Sequence, residues 1–376
     1  MKSFFVIFCL FIISIVTTAC VQDGSNNNGS QSSENSEDTI TLRVSSSLSP
    51  QNGWWAGFFI PWMESVEEKS EGKVQFDYFT AEELLSVGEE LQGMREGTID
   101  IAAPLWTVYD PQRFPLSEVT MLPLTDSDPM MASLAYSELV QSELELVDGK
   151  TYADYEFVEK GIKALPIPTT EQYVISTKDY EFNTIEDFEK VSLRSPSRVH
   201  EVFANEVGIN TVTLPSTELF DSVNRGAMEG SFFSISDWTG YGMQDVFNYT
   251  LEGINLGHYS GVWAMSEDKW NSLPKEIQDI MIEAAIEQIP GGAQLWMDRS
   301  IENKENSIED GGVFATTADL EPEAEEMVLQ GMENTWYEWI EMTESNGHPG
   351  TQIAKLWRDL IVEQGGTVPE SIMNLE

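Results

Sequence analysis

The sequence predicts an α/β fold built as two lobes, and three observations carry that expectation: a β-α-β-α-β run near the start, a second such run after residue 173, and a length that supports two cores. Thr39 to Ser45 alternates apolar and polar residues as a strand. The segment Ser45-Ser46-Ser47-Leu48-Ser49-Pro50-Gln51-Asn52-Gly53 follows as loop chemistry. A helix then runs from about Trp54 to Ser70, with Phe58, Phe59, Trp62, Met63 and Val66 on one side and Gly72 past its end. Val74, Phe76 and Tyr78 alternate as the second strand, Glu82 to Glu96 has helical spacing, and Ile99 to Ala103 is a short buried strand. Such alternation implies a parallel sheet covered by helices on both faces.

The second run begins with strand Tyr173 to Ser176 and continues with strand Val191 to Arg194, a helix from about Arg198 to Val207, strand Thr211 to Leu214, and a helix stopped by Gly226. The last third is mostly helical. Pro274 sits at a helix start before Lys275 to Gln288, Gly291-Gly292 permits a bend, and two helices follow over about 321–344 and 351–364. The expected division is 39–170 with about 253–295 in one lobe, and 171–252 with about 296–376 in the other.

The first twenty residues read as an export signal: Lys2 is a positive start, Phe4 to Val16 is apolar, and Thr17-Thr18-Ala19-Cys20 follows. The apolar run is shorter than the roughly 20 residues a spanning helix needs. Cys20 stands where a lipobox places its lipidated cysteine, although Thr17 occupies a position where that motif more often has Leu. Residues 21–38 are Gly, Ser and Asn-rich and acidic, and read as a flexible leash. The chain is therefore expected on the outer face of the cell membrane, held by a lipid, or in a periplasm if an outer membrane is present.

With Cys9 inside the signal and Cys20 used for acylation, the folded part has no cysteine for a disulfide or a thiolate metal site. Sixty-four acidic against 20 basic residues give a formal net charge of −44, which repels nucleic acid and anionic lipid. The acid is spread along the chain and suits saline or alkaline surroundings.

Catalytic patterns are poorly represented. His200-Glu201 begins like a zinc-protease pair, but Ala204 stands where the second histidine must be. Asp126-Ser127-Asp128 begins like a calcium loop and meets Pro129. No metal, no cofactor and no enzyme activity are expected.

The run Thr184-Ile185-Glu186-Asp187-Phe188-Glu189-Lys190-Val191-Ser192-Leu193-Arg194-Ser195-Pro196, then Gly208 to Phe220, then Arg225-Gly226-Ala227-Met228-Glu229-Gly230 resembles the second lobe of the solute-binding proteins of TRAP (tripartite ATP-independent periplasmic) transporters, the DctP-like family. Met94 to Ile101 and Trp270 to Gln278 resemble two further stretches of that family, so the likeness covers most of residues 40 to 290. It implies a periplasmic-binding-protein-like fold with a central ligand cleft and a long helix bracing both lobes, a monomer working with TRAP membrane subunits, and no ATPase.

The resemblance also implies that Arg194 clamps a ligand carboxylate, for which a planar guanidinium offers two parallel charge-assisted bonds. Phe233 replaces an asparagine that often touches ligand in the family, Gln172 aligns with a second arginine of sugar-acid binders, and Ser216 stands in place of an aromatic. Trp54, Trp106 and Trp238 are candidates for an aromatic wall. One arginine beside such a wall suits an amphiphilic monocarboxylate or a zwitterion. An ABC-type binding protein, a secreted hydrolase and a surface lipoprotein without transport are the alternatives.

Overall fold

A computed structural model describes residues 39–375, so the expected signal (1–20), Cys20 and the leash lie outside the described residues. Two mixed sheets form the two lobes. In the first, strands run in the order β2 (Val74–Phe79), β1 (Ile40–Ser45), β3 (Ile101–Leu105), β10 (Val262–Ser266), β4 (Ile162–Pro166). In the second the order is β11 (Val313–Thr316), β9 (Tyr249–Glu252), β5 (Tyr173–Thr177), β8 (Gly230–Ser234), β6 (Ser192–Ser195), β7 (Asn210–Thr213).

Neither sheet is purely parallel, which corrects the sequence expectation. The β-α-β runs give the parallel pairs β1 with β2 and β3, and β6 with β7 and β8, and β11 is parallel to β9 at the edge of the second sheet. Strand β10 enters between β3 and β4 antiparallel to both, because the chain reaches it on returning from the other lobe. Strand β5 is antiparallel to β8 and β9. Long-range pairing of this kind leaves no local pattern to read.

The helix expected over 82–96 is confined to Glu90–Glu96. Ala81 and Glu82 have φ of 52° and 62°, a left-handed backbone no helix contains, so the preceding residues form turns instead. The helix from the first loop opens with a π-helical turn, Trp55–Phe59, before Ile60–Lys69. There Gly57 lies against the long helix, where an added Cβ would come within 2.6 Å of Leu295.

That long helix is continuous from Lys275 to Glu309, 35 residues or about 50 Å, where the sequence suggested a bend at Gly291-Gly292. Pro290 is exposed, so the backbone bond it removes faces water rather than the core. Gly292 is buried, and an added Cβ would lie 2.5 Å from Pro168 and 3.2 Å from the Gly57 carbonyl. The helix touches Pro129–Gln141 and Ile60–Lys69 of the first lobe and the turn Ile235–Asp237 of the second, and so braces both.

The chain crosses between lobes through 167–172 and 253–261, which run antiparallel: Thr170 donates to the Tyr259 carbonyl at 3.0 Å, and Tyr173 to that of Gly257 at 2.9 Å. Gly257 is required here, since its φ is 74° and a Cβ would sit 2.4 Å from the Met121 backbone. The C-terminal segment corrects the expected division. Helix Pro322–Ser345 packs on Arg198–Val207 of the second lobe, but helix Gly350–Glu363 returns to Pro129–Gln141, burying Ile353, Trp357 and Ile361, and Thr367 bridges Asp126. Residues from about 350 onward therefore complete the first lobe's core.

Candidate functional site

Strand β6 carries Arg194 to the boundary between the lobes, fully buried. Its Nε donates to the Leu214 carbonyl at 2.9 Å, and its Nη2 to the Ser216 hydroxyl at 3.0 Å and the Tyr109 hydroxyl at 3.3 Å. Leu214 and Ser216 follow β7, the parallel neighbour of β6, so the strand pairing itself places two acceptors beside the guanidinium. Nη1 is buried without a partner. An unpaired buried donor on a permanent cation is costly, and a carboxylate oxygen is the acceptor that would relieve it best.

Aromatic rings enclose this cation. Phe233 on β8 lies under it, the guanidinium carbon 5.9 Å from the ring centre. Tyr173, first residue of β5, packs on Phe233 at 5.9 Å and stacks on Tyr259 at 5.9 Å and 13°. Tyr259 then meets Tyr109, Trp106 and Trp54 at 6.0, 5.7 and 6.3 Å. Trp54 is held by Trp106 at 5.3 Å and by Trp296 of the long helix at 5.0 Å, and its Nε1 donates to the Pro168 carbonyl. Trp106 Nε1 donates to Ser47 at 2.9 Å, which pins it to the first loop.

The lobes are closed on each other around these rings. Beside Trp106, Tyr109 and Ser216 remains a space of about 10 Å³, room for about one water. Tyr109 of the first lobe reaches Arg194 of the second directly, so a ligand oxygen would compete with its hydroxyl. A larger hollow of about 390 Å³ lies outside, lined by Pro115, Arg198 and His348 among others, but there Arg198 is already bound to Glu118.

Two further polar features stand at the boundary. Asp237, in the turn after β8, is buried and accepts from Asn52 Nδ2 of the first loop at 3.4 Å; burial pushes its carboxyl up to about 7, against the pull of Arg299 and Arg194. Asn52 also accepts from the Trp54 backbone at 2.9 Å, which ties the aromatic wall to Asp237. His200 is driven down to about 3 by burial and by Arg194, and it lies on Tyr173 and Phe232 as a neutral ring. His258 is lowered to about 4 by burial. Its Nδ1 faces the Thr170 carbonyl, which can only accept, so Nε2 accepts from Ser127. Neither histidine is arranged as an acid or base.

Of the residues singled out in the sequence, Arg194, Ser216, Phe233, Trp106 and Trp54 come together here. Trp238 does not: it begins the turn of helix after Asp237 and packs into the second lobe against Phe247 at 5.7 Å and Phe314 at 6.1 Å. Gln172 also lies apart, on the crossing segment opposite His258, with its side chain against Glu171. Tyr109, Tyr173, Tyr259, Asn52 and Asp237 were missed. Asn52 lies within the first loop and Asp237 is the neighbour of Trp238, but no local pattern gives tyrosines from three separate elements a common destination.

The profile of the bacterial extracellular solute-binding proteins, family 7, matches residues 44–341. A solute-binding protein of Albidiferax ferrireducens is 22% identical over 232 residues, 59% of this chain and 63% of the relative, so the match spans less than two thirds of that protein. Among solved structures, a TRAP solute binding protein from Rhodoferax ferrireducens T118 in complex with copurified benzoate superposes with a TM-score of 0.75 at 20% identity, over 87% of this chain and 98% of that one. A marine metagenome TRAP solute binding protein specific for aromatic acid ligands, in complex with 3-hydroxybenzoate, gives 0.76 at 20% identity over 87% and 99%. At this identity the likeness shows a shared fold. The profile match covers most of the described chain, from β1 through the long helix and into Pro322–Ser345, and on that ground the protein belongs to family 7 of the bacterial extracellular solute-binding proteins.

Proposed function

We propose that this protein captures a small organic carboxylate between its lobes and delivers it to the membrane subunits of a TRAP transporter. Arg194 holds the carboxylate, with Ser216 and Tyr109 beside it, while Trp54, Trp106, Tyr173, Phe233 and Tyr259 enclose an apolar and preferably aromatic body. The buried, unpartnered Nη1 of Arg194 is the observation that carries this reading. The benzoate and 3-hydroxybenzoate held by two proteins of the same fold support an aromatic acid. Ligand contacts on both lobes favour closure, and a membrane partner that recognises the closed state then reads occupancy.

The anchor belongs to the same proposal: lipidation at Cys20 followed by the leash of residues 21–38 keeps the protein near its transporter and raises its effective concentration there. Palmitate labelling of cells that express the full chain tests it, and equal labelling of Cys20→Ala refutes it.

The binding test is a thermal-shift screen of residues 39–376 against benzoate, hydroxybenzoates, mandelate, aliphatic acids, amino acids and sugars. A ligand at 100 times its dissociation constant adds about 2.7 kcal/mol of stability. A shift with an aromatic carboxylate that disappears in Arg194→Ala is the expected result. Retained affinity in Arg194→Ala overturns the clamp.

A further inference from the structure

We propose that Val87 is a specificity residue of the Arg194 site: from the turns before helix Glu90–Glu96 it closes the mouth of the cleft and restricts the ligand to an acid with a single-ring body. The inference rests on the carboxylate reading above and concerns the size of the acid. Val87 lines the same small space as Tyr109 and Ser216, whose hydroxyls stand 3.3 and 3.0 Å from Arg194 Nη2. Trp106 and Leu48 line that space from within and are buried, whereas Thr217 lines it from the second lobe and is exposed. Val87 is half-buried, so it and Thr217 form the solvent side, one from each lobe.

A size limit needs a wall that does not yield, and this segment is tied down along its length. Ala81 donates to the Leu48 carbonyl at 2.7 Å and Glu82 to that of Ser46 at 3.3 Å, which fixes the start of the segment to the first loop. The Val87 N–H donates to the Glu82 carboxylate at 3.3 Å, and the Gly88 N–H to that of buried Glu90 at 2.8 Å. Gly88 has a φ of 90°, a left-handed backbone that glycine adopts without strain, and it turns the chain directly after Val87. Leu85 occupies the space beside Gly93, where an added Cβ would lie 2.3 Å from its Cδ1. With the backbone held on both sides, the branched Val87 side chain has few rotamers into which it could withdraw. A body that reaches past one ring must displace it or hold the lobes apart, and one methylene too many in an apolar pocket already costs about tenfold or more.

The test is calorimetric titration of benzoate and of 2-naphthoate, which carry the same charge, into wild type, Val87→Ala, Val87→Phe and Val87→Thr. Wild type is expected to favour benzoate by about tenfold or more. Val87→Ala should move the ratio about tenfold toward 2-naphthoate, and Val87→Phe should move it the other way. Val87→Thr keeps the branched shape and should keep the wild-type ratio. An unchanged ratio in folded Val87→Ala and Val87→Phe, even with a lowered melting temperature, makes Val87 a packing residue only and overturns the proposal. Wild type that binds 2-naphthoate as tightly as benzoate also overturns it. In both cases wild-type benzoate binding leaves the carboxylate reading standing, whereas wild type that binds neither acid overturns both.

Discussion

Arg198 and Glu118 join the two lobes at a buried contact: the backbone N–H of Arg198 donates to Glu118 at 2.8 Å, Nε at 2.7 Å, and Nη2 lies 2.6 Å away. Glu118 belongs to the turn Ser117–Met121 between β3 and β4, and Arg198 opens the helix Arg198–Val207, so one carboxylate caps a second-lobe helix from the first lobe. Its burial raises the Glu118 carboxyl even with Arg198 alongside. Glu118→Ala leaves the N–H and the guanidinium without their acceptor, and is expected to lower unfolding stability by about 2–4 kcal/mol. Urea unfolding measures this. A loss under about 0.5 kcal/mol, the range of ordinary surface changes, refutes the clasp.

The first loop is held by close approach. An added Cβ at Gly53 would lie 2.3 Å from the Trp296 ring, against which Trp54 also packs. Gly53→Ala should cost about 1–3 kcal/mol by overpacking. It should also weaken ligand binding, because Trp54 and Asn52 move with the loop. Unaltered melting temperature and unaltered affinity together would show that the loop yields freely.

Glu156 gives stability a sign with pH. It is fully buried, bonded to the Ser117 hydroxyl and the Leu116 N–H, and burial lifts its carboxyl to about 7. A carboxyl raised in the folded state binds its proton more tightly there than when unfolded. Its contribution is therefore complete below the ordinary carboxyl range near 4.5 and is lost as pH rises through about 7. Glu156→Gln should remove a decline on the order of 3 kcal/mol between those limits, read from urea midpoints at constant ionic strength. Parallel pH curves for variant and wild type contradict this.

The charge of −44 predicts a salt response. Repulsion among exposed carboxylates is felt over about 10 Å at 0.1 M salt and about 3 Å at 1 M. The melting temperature should rise across that interval, in sodium chloride as well as in potassium chloride. A flat response would mean that the acid is already offset within the fold and would remove the argument for a saline habitat.

Local chemistry was legible wherever one element decides it. Arg198–Val207 begins at Ser197, whose hydroxyl accepts from the His200 N–H, and ends at Gly208 with φ 81°; both signals are written in adjacent residues. The same holds for β1, β2 and Arg194 at the end of a β-α-β strand. Between 80 and 89 the apolar spacing suggested a helix, and the left-handed residues Ala81 and Glu82 overrode it.

By itself the sequence determined the α/β class, the two β-α-β runs, the absence of cysteine from residues 39–376 and the charge, and it singled out Arg194 as the candidate cation. Tertiary structure alone decided how β10 inserts antiparallel into the first sheet, why residues from 350 onward rejoin that lobe, and which aromatic rings surround the guanidinium. Trp238 and Trp54 look alike in the sequence, each beside a loop. One faces the second lobe's core and the other the boundary, because the direction of a side chain is set by the elements packed against it. Tyr109, Tyr173 and Tyr259 lie on separate elements: the pairing of the crossing segments stacks Tyr173 on Tyr259, and the packing of Thr107–Tyr109 beside them adds Tyr109.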